Sequence, residues 1–334
     1  MAIKSYKGFD KNLRCRGFQY KIGGIYEMDG KIKVCNRGFH ACESPFDVFD
    51  YYTMIDSRFC EVEQDGNISK EDRGTKICSS KIKIKAELKL ADMINLGIEW
   101  LKEITLPEKI KTSIKDNSSG NYAKIGSSGD EAQIGSSGYG AQIGSSGDDA
   151  KIGSSGNNAK IGSSGDGAQI GSSGNGAKIG SSGYDAKIGS SGDGAQIGSS
   201  GNNAQIGSSG NNAKIGSSGN DAQIGSSGNN AKIGSSGDGA KIGSFGDGAK
   251  ISSSGYGAKI DSTGEDCVIM CAGINSVAKA SKGSWVTLSE WSYSEEKQRY
   301  IPICVKTEFV DGEKIKADTY YSLKGGVFVE CIND

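Results

Sequence analysis

The stretch that decides the fold begins with Ser-Ser-Gly-Asn-Tyr-Ala-Lys-Ile-Gly at residues 118–126, followed by Ser-Ser-Gly-Asp-Glu-Ala-Gln-Ile-Gly at 127–135. The same nine-residue pattern continues without insertion, so that its alanine recurs sixteen times from Ala123 to Ala258. A further copy places Cys267 in the alanine position and Ile269 in the isoleucine position. A fixed short period of this kind indicates a solenoid and takes precedence over local propensities.

Within each copy only alanine and isoleucine are apolar, and one lysine or glutamine separates them. This alternation predicts a short strand whose alanine and isoleucine point inward and whose lysine or glutamine points outward. A helix is not expected, because each glycine of the repeat would cost about 1 kcal/mol in a helix. The Ser-Ser-Gly element and the Asn, Asp or Gly residues that follow it are typical of turns with left-handed backbone.

One nine-residue copy is too short to close a loop around a core, so we predict two copies and two strands per coil. Stacked coils rise by roughly 4.8 Å each, which makes a rod on the order of 40 Å long. Outward residues two copies apart then stack, and glutamine interrupts the lysines in each stack. The prediction is a mainly β chain: a small α+β domain over 1–116, a parallel β-solenoid over 117–273, and a capping coil with β-hairpins over 274–334.

The turns of the repeats provide the candidate binding surfaces. With two copies per coil, most acidic turn residues fall on one side, which predicts an acidic edge along the first two-thirds of the rod. Drift among residues that suit a turn explains the same pattern, and this alternative stays open. Aromatic residues at turn positions suit a protein interface, although single exposed ones are common. The candidate binding residues are Asp130, Glu131, Asp148, Asp149, Asp166, Asp185, Tyr139, Tyr184, Tyr256 and Phe245.

Composition and charge exclude several classes. The 334 residues include 52 glycines but only 3 prolines, which excludes collagen-like and proline-rich chains. A net charge of −1 gives no overall attraction to nucleic acid or acidic membranes, so neither is expected as a partner. No long apolar run and no apolar leader occurs, and we expect a cytoplasmic protein. The turns hold too few carboxylates for calcium, and neither a metal nor a cofactor is expected.

Residues 1–116 contain the only histidine and five of the nine cysteines. The alternation at 81–90 predicts a strand, and residues 46–52, after a Ser44-Pro45 cap, and 93–104 predict helices. Because no secretion signal precedes them, the cysteines are expected to be reduced core residues rather than disulfides.

His40 is the candidate catalytic residue, together with Arg37 and Glu43, because it alone has an ordinary pKa near neutrality. Two other interpretations stay open. His40 is a hydrogen-bonded structural residue in a turn, or it joins Cys35 and Cys42, with Cys15 or Cys60, in a zinc site, although their spacing is not that of standard zinc motifs.

Residues 275–288 predict a last, less regular coil in which Trp285 and Leu288 cover the open end of the core. Such a cover is needed because an exposed solenoid end invites edge pairing with other chains. Residues 310–312 and 323–327 predict hairpin turns.

Both chain ends resemble those of a known kind of protein. Lys7-Gly8-Phe9, Cys-Arg-Gly-Phe-Gln-Tyr at 15–20 and Gly-Phe-His-Ala-Cys at 38–42 are similar to an N-terminal domain of unknown function in phage and prophage proteins. Those proteins continue into short Ser-Gly-Asp-x-Ala repeats and end much like residues 283–285, 310–316 and 318–321 here. The resemblance implies a viral or prophage origin and no established activity.

The leading prediction is therefore a non-enzymatic phage or prophage protein, in the cytoplasm of an infected or lysogenic bacterium. Its rigid solenoid would present interaction surfaces to a host protein, for instance to inhibit a defence system. A virion-associated fibre component is one alternative. Another is a transferase whose site around His40 uses a glutamate to stabilise a developing cation. A homo-oligomer stays open.

Overall fold

The computed structural model describes residues 2–54, 56–71, 75–104 and 120–331. Two compact units divide the chain, one up to Trp100 and the other from Leu101 onward. The predicted boundary between residues 116 and 117 falls in a stretch outside the described residues and stays a prediction. Within the described ranges, no helix has the length and apolar character that crossing a bilayer requires.

The N-terminal unit is built on antiparallel strands whose pairings close into a ring. Its elements are β1 (Ile3–Phe9), β2 (Arg14–Cys15), β3 (Phe18–Gln19), β4 (Ile25–Glu27), β5 (Phe39–Cys42), a 3-10 helix (Phe46–Asp50), β6 (Arg58–Lys70), β7 (Lys76–Leu88) and α1 (Leu90–Ile104). Strand β1 pairs with β5 and β6, and β7 pairs with β4, β5 and β6. Phe9, Val62, Ile82 and Ile84 are fully buried in one cluster inside the unit.

The local predictions for this unit are confirmed in outline. Residues 81–88 lie in β7, whereas Leu90 already belongs to α1. The helix expected at 46–52 is the 3-10 helix, which begins after Pro45 without a side-chain cap. Helix α1 begins at Leu90 rather than at residue 93, because the Asp92 carboxylate accepts the Lys89 N–H at 2.8 Å and so caps the first turn.

The second unit is a parallel β-solenoid with two strands per coil, as predicted. Its four-residue strands are β8 (Lys124–Ser127), β9 (Gln133–Ser136), β10 (Gln142–Ser145), β11 (Lys151–Ser154), β12 (Lys160–Ser163), β13 (Gln169–Ser172), β14 (Lys178–Ser181), β15 (Lys187–Ser190), β16 (Gln196–Ser199), β17 (Gln205–Ser208), β18 (Lys214–Ser217), β19 (Gln223–Ser226), β20 (Lys232–Ser235), β21 (Lys241–Ser244), β22 (Lys250–Ser253), β23 (Lys259–Ser262), β24 (Val268–Cys271) and β25 (Val277–Ala280). The even-numbered strands form the first sheet and the odd-numbered strands the second sheet. Pairing is parallel and in register, so that Ile143 lies opposite Ile161.

The inward positions of the repeats form the core of the rod. From Ile125 to Ile260, the isoleucines are between 0% and 6% exposed, and each contributes roughly 1.5–3 kcal/mol through burial. The serine that ends each strand from β9 to β23 is buried as well. Fourteen of these hydroxyls, at nine-residue intervals from Ser145 to Ser262, have no hydrogen-bond partner among the described residues.

The turns explain why the repeat contains so much glycine. A side chain at Gly165 would overlap the carbonyl oxygen of Gly147 in the preceding coil, so coils stack this closely only without a Cβ. Two residues later Gly167 has a φ of 66°, in the left-handed region that the turn composition predicts. Backbone bonding continues through the turns, as in the 2.8 Å bond from the Gly140 N–H to the Asn157 carbonyl.

The C-terminal residues extend both sheets. Strands β26 (Trp285–Ser294) and β27 (Arg299–Phe309) form a hairpin on the first sheet, and β28 (Tyr321–Lys324) and β29 (Val327–Glu330) form one on the second. The turn predicted within 323–327 therefore connects β28 and β29. The hairpin predicted at 310–312 is wrong, because Asp311 instead accepts the N–H groups of Glu313 and Ile315 in a loop after β27.

The prediction that Trp285 covers the end of the core is also wrong. The last half-coil is one residue short, so Ser284 occupies the alanine position and Trp285 pairs with Val268 in the outward lysine position. Because side chains alternate along a strand, this shift turns the indole outward, where it is 49% exposed. Leu288 is buried as predicted, and it is accompanied by Val286.

Candidate functional site

The first sheet carries an exposed row of cations along the rod. The stack follows the predicted order, and its eight outward side chains are exposed. None of its six lysines forms an ion pair with a described residue. The row consists of Lys124, Gln142, Lys160, Lys178, Gln196, Lys214, Lys232 and Lys250.

A column of glycines runs beside this row, from Gly126 to Gly234 at 18-residue intervals. A Cβ added to any of the first six would meet no atom within 4 Å, so bare backbone forms an open floor. The lysine row and the glycine column together line a groove of about 1450 Å³, which we call the basic groove.

Apolar residues close the C-terminal end of the basic groove. Val268 and Trp285 continue the lysine row, and Met270 continues the glycine column. All three are between 44% and 51% exposed, and the Phe309 ring lies 5.1 Å from the Trp285 ring. The opposite face differs, since Lys187 and Gln205 on the second sheet are buried.

The predicted acidic residues lie in turns that lead from the first sheet to the second, which we call the acidic edge. Asp130, Asp148 and Asp166 each accept the N–H of the equivalent residue in the next coil through Oδ1, at 2.8–3.1 Å. Asn175 makes the same bond on the opposite edge, so this bond does not require a charge. Glu131, Asp149 and Asp185 occupy the left-handed positions of their turns.

The predicted aromatic residues are exposed but do not form one patch. Tyr184 and Tyr256 lie on the acidic edge, four coils apart, whereas Tyr139 lies on the opposite edge beside Tyr122. Phe245 replaces the second serine of a Ser-Ser-Gly element. The Tyr139 and Tyr256 hydroxyls each accept an asparagine amide N–H at 2.8 Å, so these two rings also brace the stack.

The N-terminal unit contains a cavity of about 780 Å³, which we call the N-terminal pocket. Strands β1 and β5 supply its buried lining, including Lys7, Phe39 and Ala41. Arg16 and Phe18, next to the β2–β3 turn, are exposed where they line it.

Lys7 is the most unusual residue of the N-terminal pocket, because it is a cation that is only 5% exposed. Its Nζ donates to the His40 carbonyl at 2.9 Å and lies 3.5 Å from the Cys15 sulfur. The Tyr52 hydroxyl donates to the same sulfur at 3.0 Å. Burial lowers the pKa of Lys7 and raises the pKa of Tyr52.

His40 lines the same pocket, but one of its ring nitrogens is already engaged. Its Nε2 accepts the Cys35 N–H at 3.0 Å, which requires an unprotonated nitrogen. Burial lowers the pKa of His40, and the charges of Lys7, Lys76 and Arg16 lower it further. This bond gives the neutral imidazole a structural role in the segment that precedes β5.

The other candidate catalytic residues have partners elsewhere. Arg37 donates to the Asp29 carbonyl at 2.7 Å, and Glu43 forms an ion pair with Lys70 at 2.9 Å. Neither lines the N-terminal pocket. The structure therefore does not bring Arg37, His40 and Glu43 together as a catalytic cluster.

No group of three or more His, Cys, Asp or Glu side chains is placed to hold a metal ion in the part of the chain that the structure describes. All nine cysteines are free thiols. Five are buried as predicted, whereas Cys35 is exposed and three others are half-buried.

Four residues that line the N-terminal pocket were not predicted from the sequence: Lys7, Arg16, Phe18 and Tyr52. Residues 14–20 hold two arginines followed by two aromatic residues at every second position, and this pattern was the available signal. It does not show that this segment faces β1 and Tyr52, because only the folded ring of strands brings them together.

Residues 3–96 match a family model described as a domain of unknown function (DUF7666). This match supports the predicted N-terminal domain of unknown function. No curated protein and no solved structure matches the chain.

Proposed function

We propose that this chain, a domain of unknown function followed by a repeat solenoid, is a non-enzymatic protein that binds an acidic segment of a host protein in the basic groove. The observation that carries the proposal is the row of six lysines, which form no ion pair with a described residue, beside the open glycine column. The resemblance of the chain ends to phage and prophage proteins supports a place in the cytoplasm of an infected or lysogenic bacterium. Inhibition of a bacterial defence system is the concrete role that we propose.

The charge of the groove favours an acidic partner. Lys160 and Lys178 lie opposite each other on paired strands, and like charges in that arrangement repel. An acidic segment removes this repulsion. Because an exposed ion pair contributes only about 0–1 kcal/mol, useful affinity requires several pairs at once, which the row provides.

The shape of the groove favours an extended segment. Between β8 and β22 the floor runs roughly 34 Å along the stack, which is the length of about ten extended residues. The segment lies across the strands rather than pairing with them, since their N–H and C=O groups already bond to neighbouring coils. Bare glycine backbone leaves room for the partner's main chain.

Nucleic acid fits this face less well than an acidic peptide. Proteins that bind single strands place aromatic side chains along a basic groove. The described lining of the basic groove consists of lysine, glutamine, isoleucine and glycine until Ser252, Val268 and Met270. The acidic edge next to the first sheet would also repel a long polyanion.

The proposal is tested with a labelled oligoglutamate peptide and full-length protein, by fluorescence anisotropy at two salt concentrations. We expect binding that weakens with salt. The triple variant Lys214→Glu, Lys232→Glu and Lys250→Glu should weaken it at least tenfold. The matched control Lys241→Glu, Lys282→Glu and Lys297→Glu changes the net charge equally but lies off the groove, and it should bind like the parent.

Two results would overturn the proposal. One is equal loss of binding in both triple variants, which indicates a general charge effect rather than a site. The other is tighter binding of oligothymidylate than of oligoglutamate, which would identify the groove as a nucleic-acid site. If the proposal holds, crosslinking in host lysate, compared between the two triple variants, identifies the natural partner.

A further inference from the structure

We propose that the N-terminal pocket binds a nucleoside phosphate, independently of what the basic groove binds. The aromatic residues at its mouth hold the base, and Arg16, Lys7 and Lys76 hold the phosphates. This assigns a ligand to the domain of unknown function, for which neither the sequence motifs nor the proposed function of the rod supplies one.

The mouth of the pocket presents flat aromatic surface. Phe18 lies 4.8 Å from Tyr20 and 5.4 Å from Tyr26, and the latter two rings are 5.0 Å apart. Phe18 is 49% exposed and the neighbouring Ile25 is 57% exposed. Apolar surface left open around a cavity indicates a ligand with an apolar, planar part. Stacking on such rings contributes about 1–3 kcal/mol per base.

Cations surround the same cavity. Arg16 is exposed at the lining, and its guanidinium has no hydrogen-bond or ion-pair partner among the described residues. Its planar, fork-like donors match a phosphate. Lys76 also lines the pocket, with its Nζ 4.3 Å from the Tyr51 ring centroid. Among the described residues that line the pocket, the one carboxylate is that of Glu27, which lies 3.5 Å from Lys81.

Lys7 gives the pocket an unbalanced buried charge. An ammonium group has three N–H donors, and the described contacts of Nζ are one carbonyl, one thiol and the Phe9 and Tyr20 rings at 5.4 and 5.9 Å, with no carboxylate. Burying a cation without an anion is unfavourable, which is why burial lowers the pKa of Lys7. A phosphate supplies the missing negative charge.

The cavity size agrees with this class of ligand. Its volume of about 780 Å³ lies within the roughly 300–1,000 Å³ typical of small-molecule and cofactor sites. Aromatic surface for a base and three cations for phosphates therefore share one cavity of suitable size.

The proposal is tested by isothermal titration calorimetry of the full-length protein with ADP, GDP, CDP and UDP, and with adenosine and inorganic phosphate. We expect at least one diphosphate to bind with a Kd below about 1 mM. The nucleoside alone and phosphate alone should each bind at least tenfold more weakly, because each engages half of the site.

Two exposed substitutions keep the test independent of folding. Arg16→Ala and Phe18→Ala should each weaken diphosphate binding at least tenfold. Their matched controls, Lys31→Ala and Tyr122→Ala, remove an exposed cation and an exposed ring outside the pocket and should bind like the parent. None of the four should change oligoglutamate binding, so the two proposals fail separately.

The proposal is overturned if no diphosphate binds, or if Arg16→Ala and Phe18→Ala bind as well as the parent. Inorganic phosphate binding as tightly as the diphosphates would also overturn it, since the pocket would then be an anion site without nucleoside recognition.

Discussion

The lysines proposed to bind ligands differ in exposure and surroundings between the two units of this protein. On the rod, six lysines lie 18 or 36 residues apart in one exposed row, and the same repeat builds the strand under each of them. In the N-terminal unit, Lys7 is single, buried, and held by groups from β5 and the segment around Cys15. The surface of the rod thus follows from one nine-residue repeat, whose inward, outward and turn positions recur in every copy. The N-terminal unit builds its pocket from segments that meet only in the folded state.

The largest expected effect concerns the turn glycines of the repeat, which allow neighbouring coils to stack closely. Gly165→Ala should destabilise the rod by about 1–3 kcal/mol or more, because its Cβ overlaps the Gly147 carbonyl. Gly162→Ala, three residues earlier on an open strand face, should change stability by no more than about 0.5 kcal/mol. Urea unfolding followed by circular dichroism measures both. Similar losses in the two variants would contradict the close approach of the coils.

The second expected effect comes from a deletion that preserves the solenoid fold but changes which residues lie on each sheet. Deletion of residues 187–195 removes one strand, and the two equivalent halves of a coil allow the rod to re-form. Every later strand then changes sheet, so Lys214, Lys232 and Lys250 leave the row. The residues that enter the row are Gln205, Gln223, Lys241 and Lys259, so it loses its run of three adjacent lysines and keeps five of six cations. Oligoglutamate binding should weaken while the circular dichroism spectrum keeps its shape.

Deletion of residues 187–204 is the matched control, since it removes a whole coil and keeps every later strand on its own sheet. It takes Gln196 out of the row and brings Lys178 next to Lys214. Binding should then equal or exceed that of the parent. Equal loss in both deletions would show that length, rather than the face, determines binding.

A smaller effect distinguishes buried serines in the two units. The Ser172 hydroxyl has no hydrogen-bond partner among the residues that the structure describes, so Ser172→Ala should be neutral or stabilising. Ser79 in the N-terminal unit donates to the Lys81 carbonyl at 2.7 Å, and Ser79→Ala should destabilise its unit by about 0.5–1.5 kcal/mol. Thermal unfolding of both variants tests the contrast. A clear loss in Ser172→Ala would reveal a hydrogen bond in the rod.

The smallest effect is the pH dependence that His40 gives to the N-terminal unit. Because the folded pKa of His40 is lowered, the unfolded state binds the proton more readily. Its contribution to stability is therefore complete above about pH 6.5 and is lost as the pH falls towards the folded pKa. His40→Gln keeps an acceptor for the Cys35 N–H but does not titrate. Its stability should fall less than that of the parent between pH 7.5 and 5.5, and parallel curves would contradict this role.

The structure of the rod could be predicted from the sequence because the residues within each nine-residue repeat determine its strand, its turn and the direction of its side chains. Alternation placed Ile143 inward and Lys160 outward, and the period placed Lys160 and Lys178 on one face. Trp285 was misplaced because a single missing residue between β25 and β26 reverses which side chains face the core. A period extrapolated past its last regular copy cannot detect such a shift.

The N-terminal pocket was not predictable in the same way. Tyr52 lies 37 residues from Cys15 in sequence, and no period relates it to Cys15 or to Lys7. His40 attracted attention as the only histidine, yet its ring accepts a backbone N–H beside the cavity. Arg37 and Glu43 are close to His40 in sequence but bind Asp29 and Lys70.

The lysine row has one more consequence for how a partner would move on the rod. A groove made of nearly identical coils offers a segment shorter than its floor several similar alignments, each displaced by one coil, and such a segment could slide among them without dissociating. A segment that spans three of the eight strands has about six such alignments, which would add roughly 1 kcal/mol to the binding free energy as a statistical factor. Gln142 and Gln196 break the equivalence, because they divide the lysines into groups of one, two and three. Because glutamine carries no charge, alignments that place acidic residues opposite these two positions bind more weakly, and the partner would favour the others.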